Sequence, residues 1–108
     1  MAKYLVEVSY TAEGTRGLLK DGGTTRRASA TAAVASLGGK IETFYYAFGE
    51  NDVIVIADMP DAQSVAALSL ALGASGAVSA RTTVLLTVED IDAAVKKAAA
   101  AKYTPPGH

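Results

Sequence analysis

The chain has no cysteine, and its single histidine, His108, is the last residue. Without cysteine there is no disulfide framework, no thiolate nucleophile and no thiolate metal site. A lone histidine behind Pro105-Pro106-Gly107 cannot complete a Ser-His-Asp or Cys-His device. It is equally ill placed as a proximal haem ligand, and zinc would have to draw almost wholly on carboxylates. Charge is scarce too: charged residues make up 19% of the chain and the formal net charge is −1. That leaves no field to steer nucleic acid or an acidic membrane surface, and Arg26-Arg27 is too short for a nucleic-acid patch. The glycines from Gly14 to Gly23 lack phosphate-loop spacing and the Lys-Ser/Thr that must follow it. No apolar run approaches the roughly 20 residues that cross a bilayer. Met1-Ala2-Lys3-Tyr4 leads straight into a strand pattern rather than a signal-peptide core. The expectation is a cytoplasmic protein with no metal, no cofactor, and neither nucleic acid nor membrane as partner.

What is present is apolar. The hydrophobic fraction is 50% over 108 residues, much of it alanine, which favours helices and close packing. A chain of this length forms one domain and buries roughly two thirds of its unfolded surface. Tyr4, Val6, Val8 and Tyr10 alternate with Lys3, Leu5, Glu7 and Ser9, the pattern of a half-buried strand. Thr11 to Gly23, interrupted by four glycines, reads as a loop with a helical turn. Arg26 to Leu37 is a helix with Ala30, Ala33, Val34 and Leu37 on one stripe, capped by Thr24 or Thr25 and closed by Gly38-Gly39. Lys40 to Phe48, with its aromatic residues, is the second strand. After a turn at Gly49–Asp52 comes the third, Val53 to Asp58, whose continuous apolar run predicts a central strand covered on both faces. Asp61 caps a helix striped by Val65, Leu68 and Leu72. A fourth strand runs from about Val78 to Leu86, and Thr87 with Asp90 forms a capping box for a last helix through about Ala101.

This order predicts an α+β, ferredoxin-like βαββαβ fold over residues 1–101, with a four-stranded antiparallel sheet, a C-terminal helix and a disordered tail at 102–108. Two helices cover one sheet face only. Leu5, the third strand and Val84-Leu85-Leu86 supply apolar groups to the other, and an open patch of several hundred Å² normally marks an interface. The expectation is therefore a C₂ homodimer, with higher assemblies built from it.

The segment Phe44-Tyr45-Tyr46-Ala47-Phe48-Gly49-Glu50-Asn51-Asp52-Val53-Ile54-Val55-Ile56 resembles the signature of the GYD domain family, small proteins of the dimeric α/β barrel superfamily. Tyr10–Arg16, Leu37–Lys40 and Ala66–Gly73 resemble it as well, so the likeness spans Tyr4 to about Ile91. One departure stands out: Asn51 occupies the place of the tyrosine in the family's Gly-Tyr-Asp. The resemblance implies a ferredoxin-like protomer pairing into a barrel and implies no activity.

The candidate ligand-pocket residues are Tyr10, Arg16, Lys20, Tyr45, Tyr46 and Arg81. The tyrosines are core and interface aromatics on the plainer reading, and line a cavity between the sheet and the Thr11–Gly23 loop on the sharper one. Arg16 and Lys20 are solvated loop charges, or close that cavity over a carboxylated or phenolic ligand. Arg81 pairs with Glu7 across neighbouring strands, or clamps an anion or carbonyl. Glu50 and Asp52 could hold a cation but more simply form a solvated turn. These readings support a small-ligand-binding or interaction module. The rival is a cofactor-independent enzyme, monooxygenase- or isomerase-like, acting on a small aromatic or carbonyl compound.

Overall fold

The computed structural model describes all 108 residues, Met1–His108. Strand β1 (Ala2–Tyr10) buries Tyr4, Val6 and Val8 beneath the helices and turns Lys3, Leu5, Glu7 and Ser9 to the other side. Helices α1 (Ala12–Asp21) and α2 (Gly23–Ser36) follow, then strands β2 (Lys40–Tyr46) and β3 (Val53–Met59), helix α3 (Ala62–Ala74), strand β4 (Val78–Leu85) and helix α4 (Val88–Ala100). The sheet order is β2-β3-β1-β4, with every neighbouring pair antiparallel. This is the ferredoxin-like arrangement, two interleaved βαβ halves with their helices on one face.

The segment expected to be a loop is a full helix. Thr11 caps α1 by accepting from the Gly14 N–H at 3.2 Å, Glu13 sits in the first turn and Lys20 in the last. These satisfy the orphan amides and match the helix dipole, outweighing the low propensity of Gly14 and Gly17. Thr11 also ties the helix start to the turn before β4, through its N–H on the Ala77 carbonyl at 2.9 Å. Gly14 is buried there because the helix runs against that carbonyl. Gly22, at φ 82° and ψ 164°, then turns the chain directly into α2, a conformation open essentially to glycine alone. So α2 begins at Gly23, a turn ahead of the expected Arg26, with no side-chain cap from Thr24 or Thr25. It ends as expected at Gly38, φ 81°: the Gly39 N–H reaches the Val34 carbonyl and that of Gly38 reaches Ala35, each at 3.0 Å, which is a Schellman closure.

β2 stops at Tyr46, short of the expected Phe48: the Ala47 N–H still reaches the Asp52 carbonyl at 2.9 Å, but the Asp52 N–H turns to Val8 and returns no bond; Phe48 is left fully exposed. A bulge between Ile41 and Thr43 shifts the register, after which Phe44 and Tyr46 face the helices and Thr43 and Tyr45 face away. β3 is central as expected, but covered on one face only. Val53, Val55, Ala57 and Met59 are buried, and Ile54, Ile56 and Asp58 are half-exposed. Asp61 caps α3, its Oδ1 accepting from the Ser64 N–H at 2.7 Å, and this bond holds its carboxyl below the usual range.

The helix side holds the core of Tyr4, Val6, Val8, Val34, Val53, Val55, Ala57, Met59, Val65 and Leu68. α4 adds nothing to it. Its Thr87–Asp90 capping box is closed on both sides at 3.0 Å, yet all thirteen residues are exposed. The helix projects from the body and does not roof the sheet's second face. The radius of gyration, 17.3 Å, accordingly exceeds the roughly 13 Å of a compact chain this long. No helix is long and apolar enough to cross a membrane. Residues 101–108 form no helix or strand and are exposed.

The seat of α1 makes two glycines opposites. A Cβ on Gly14 would fall on the Ala77 carbonyl oxygen, whereas one on Gly17 would meet nothing within 4 Å. Gly14→Ala should destabilise by about 2–3 kcal/mol through overpacking. Gly17→Ala should stabilise by about 0.5–1 kcal/mol through helix propensity. Urea unfolding measures both, and effects of the same sign would contradict this placement of α1.

Candidate functional site

α2 packs over β2, and α3 over β4 and, less closely, β3; the inner face of the central strands is buried, with a narrow gap left between the two helices. The side chains facing the gap are Ala30 and Ala33 from α2 and Leu68 and Leu72 from α3, above a floor that includes Val6, Val8, Val53 and Val55. Alanine was expected to favour close packing. Here it stops short of the opposing leucines and leaves a cavity of about 90 Å³. Among the residues lining it Arg26 is the one charged group, and Tyr10 stands beside it as the one hydroxyl.

Tyr10 is fixed at the end of β1 by its own backbone: its N–H donates to Asp52 Oδ2 at 2.7 Å. The Asp52 N–H in turn donates to the Val8 carbonyl at 2.8 Å. Asp52 is therefore a fastener between the β2–β3 loop and β1, not the free turn carboxylate expected. Burial is the main cause that pushes the Tyr10 phenol above its ordinary value; neighbouring Tyr46 adds to this and Arg26 opposes it. At neutral pH Tyr10 is a hydrogen-bond donor and not a phenolate. Arg26 is half-buried and makes a loose pair with Asp21 at 3.5 Å.

A second, wider hollow of about 490 Å³ lies outside this cavity, where α1 faces the β2–β3 loop. Tyr10 belongs to the walls of both. Its other lining includes Leu18, Tyr46, Phe48 and Asp52. Tyr46 is braced there, its hydroxyl donating to the Gly23 carbonyl at 2.8 Å and its ring meeting Phe44 edge-on at 5.3 Å.

Of the residues chosen from sequence, the structure thus brings together Tyr10 and Tyr46. Tyr45 is on the opposite sheet face, paired with Ile54 and 68% exposed. Arg16 and Lys20 are exposed on α1 and line neither hollow. Arg81 is on the second face, in register with Glu7 as the strand order requires, but the two form no ion pair. The Glu7 carboxylate takes the Asn51 amide at 2.8 Å instead, while Asn51 Oδ1 accepts from the Ser9 hydroxyl at 3.3 Å. Asn51, standing where the family resemblance has tyrosine, is a clip between loop and β1. Arg81 borders a polar hollow of about 240 Å³ with Glu7, Glu50, Asn51 and Ser79.

Arg26 is the residue that sequence reasoning missed, having weighed it only with Arg27 as a basic patch. The signal was available. Extending the Ala30–Ala33–Val34 stripe back by one turn places Arg26 on the same face.

An antiparallel four-stranded sheet in this order, with its helices on one side, makes the chain a ferredoxin-like α+β protein. A sequence model of the GYD domain matches residues 4–95, and the chain belongs to the GYD domain family. No curated protein and no solved structure gives a significant match.

The Tyr10 phenol sets a pH dependence. Because its native value is raised above 10.0, the folded protein keeps a proton that the unfolded chain has already lost just above that pH. The stability tied to this proton is complete below pH 10.0 and is lost as pH rises through the native value. Urea midpoints followed from about pH 9 to about pH 11 should therefore fall less steeply for Tyr10→Phe than for the wild type. Parallel slopes would contradict the buried phenol.

Proposed function

We propose that this protein is a small-molecule-binding module that holds a compact, largely apolar ligand in the cavity beneath α2 and α3, and that it works as a homodimer. The observation that carries the ligand reading is the cavity itself. Its walls are almost wholly apolar, it opens beside two polar groups, and it lies within a single protomer. Few convergent polar groups in an apolar hollow are the usual make-up of a ligand site. Its size suits a short branched chain rather than a ring, since benzene takes an apolar cavity of about 150 Å³. The enzyme reading has less support. The cavity wall supplies no carboxylate or imidazole, and its one phenol is driven away from the ionised form a base would need.

The homodimer rests on the sheet's second face. Leu5 and Ile56 form its half-exposed apolar middle, with Ile54 beside Glu7 and Leu85 beside Lys3 in the rows on either side. Val84 points to the helix side and Leu86 lies past the strand, so neither contributes as the sequence suggested. At one end of the face Lys3 bonds Glu42 and Asp58, each at 3.0 Å; at the other stand Glu7, Asn51 and Arg81. An apolar middle between polar ends is the anatomy of a protein interface, and two copies meeting there would form a barrel. The cavity is on the helix side, so it does not depend on the pairing.

Two measurements test the two halves. Isobutanol titrated into methyl-labelled protein should shift Val6, Val55 and Leu68, leave the exposed Leu19 and Leu70 unmoved, and lose its effect in Ala33→Leu, which fills the space. Uniform or absent shifts would remove the ligand reading. Ile54→Asp sets like charges near the two-fold axis. It should sediment as a monomer at low micromolar concentration where the wild type is a dimer, and a monomeric wild type would remove the pairing.

A further inference from the structure

On the premise that the cavity is a ligand site, we propose that its ligand is a small monocarboxylic acid whose apolar body fills the space between Ala33 and Leu72 and whose carboxylate is held by Arg26 and Tyr10. The cavity's charge is one-signed. Arg26 is its single ionic group and no acidic residue shares the wall, so an anionic end is attracted and a cationic one repelled.

The guanidinium has donors to spare. Its pair with Asp21 uses one terminal nitrogen at 3.5 Å, and both side chains are more than a third exposed, 39% and 34%. Such a pair is worth little and is readily exchanged or shared. The remaining N–H groups form the planar fork that fits a carboxylate. Tyr10 adds a neutral hydroxyl donor at the same rim. One cation and one phenol suit a single negative charge. The roughly 90 Å³ behind them is far below what a nucleotide or coenzyme occupies.

The polar hollow at Arg81 has the opposite balance. Glu7 and Glu50 give it two carboxylates to one guanidinium, which disfavours an anion. The recognition of an acid therefore falls to Arg26, and Arg16 and Lys20, exposed on α1, take no part in it.

The test compares isobutyrate with its uncharged analogues isobutyramide and isobutanol, read by calorimetry and by the shifts of the cavity methyls. Wild type should bind isobutyrate at least about tenfold more tightly than isobutanol, as one charge-assisted contact implies. Arg26→Gln should remove that preference, Arg26→Lys should restore part of it, and Arg27→Gln, on the exposed neighbour, should leave it intact. The glutamine variant's unfolding midpoint confirms that the fold is retained. If isobutyramide and isobutanol bind but isobutyrate is no tighter, the acid is the wrong class and the cavity reading stands. If none of the three moves the cavity methyls, both fall together. An isobutyrate preference that survives Arg26→Gln would also overturn the assignment.

Discussion

Everything in this molecule depends on how little cover its sheet receives. Burial alternates along β1 and β3, and the register that pairs Tyr4 with Ala57, Val6 with Val55 and Val8 with Val53 gathers one apolar layer on one side. Only two helices lie across that layer, and each grips an outer strand: α2 over β2, α3 over β4. The middle is bridged by alanines on one helix and leucines on the other, which do not meet. Eleven residues in all are buried, a core too thin to close over itself. The cavity and the open second face have this single origin.

Polar contacts decide where that scarcity is used. The β2–β3 loop is clipped to β1 at four points, by Asp52 on the Tyr10 and Val8 backbones and by Asn51 on Glu7 and Ser9. These clips hold Tyr10 at the point where the inner cavity meets the outer hollow. They also draw Glu7 away from Arg81. A loop anchored in this way behaves as part of the sheet, so the phenol and the guanidinium present a preorganised rim. α4 is the counterpart on the other side of the balance. It is well capped and amphipathic, with Val88, Ile91 and Val95 exposed, yet nothing in its own protomer receives it.

β1 was legible because alternation is a direct imprint of burial, Tyr4-Val6-Val8 naming the buried face residue by residue; β3, apolar at every position from Val53 to Ala57, showed its central place but not which face is covered. The strand order, and with it the Glu7–Arg81 register, followed from topology. α1 was not legible, since Gly14 answers a tertiary demand, the approach to the Ala77 carbonyl, that no local pattern displays. Part of the candidate site failed on a point the sequence did contain. Tyr45 and Tyr46 are adjacent in one strand and so must face opposite ways. The ion pair expected of Arg81 did not form because a competitor, Asn51, arrives from a loop whose path cannot be read from spacing. Arg26 was hidden by its neighbour: two arginines in a row look like a surface patch, although the Ala30–Ala33–Val34 stripe, extended by one turn, turns one of them inward.

The claim on which the account rests most heavily is that one side of the sheet is left bare by its own chain and is covered by a second copy. A soluble paramagnetic agent reports it directly through the side-chain methyls of Leu5, Ile54, Ile56 and Leu85. In the wild type these methyls should be as shielded as the buried methyls of Val55 and Leu68, and in the monomeric Ile54→Asp variant those of Leu5, Ile56 and Leu85 should become as accessible as Leu70. Methyls that stay shielded in the monomeric variant, or that are accessible in the wild type, would contradict it.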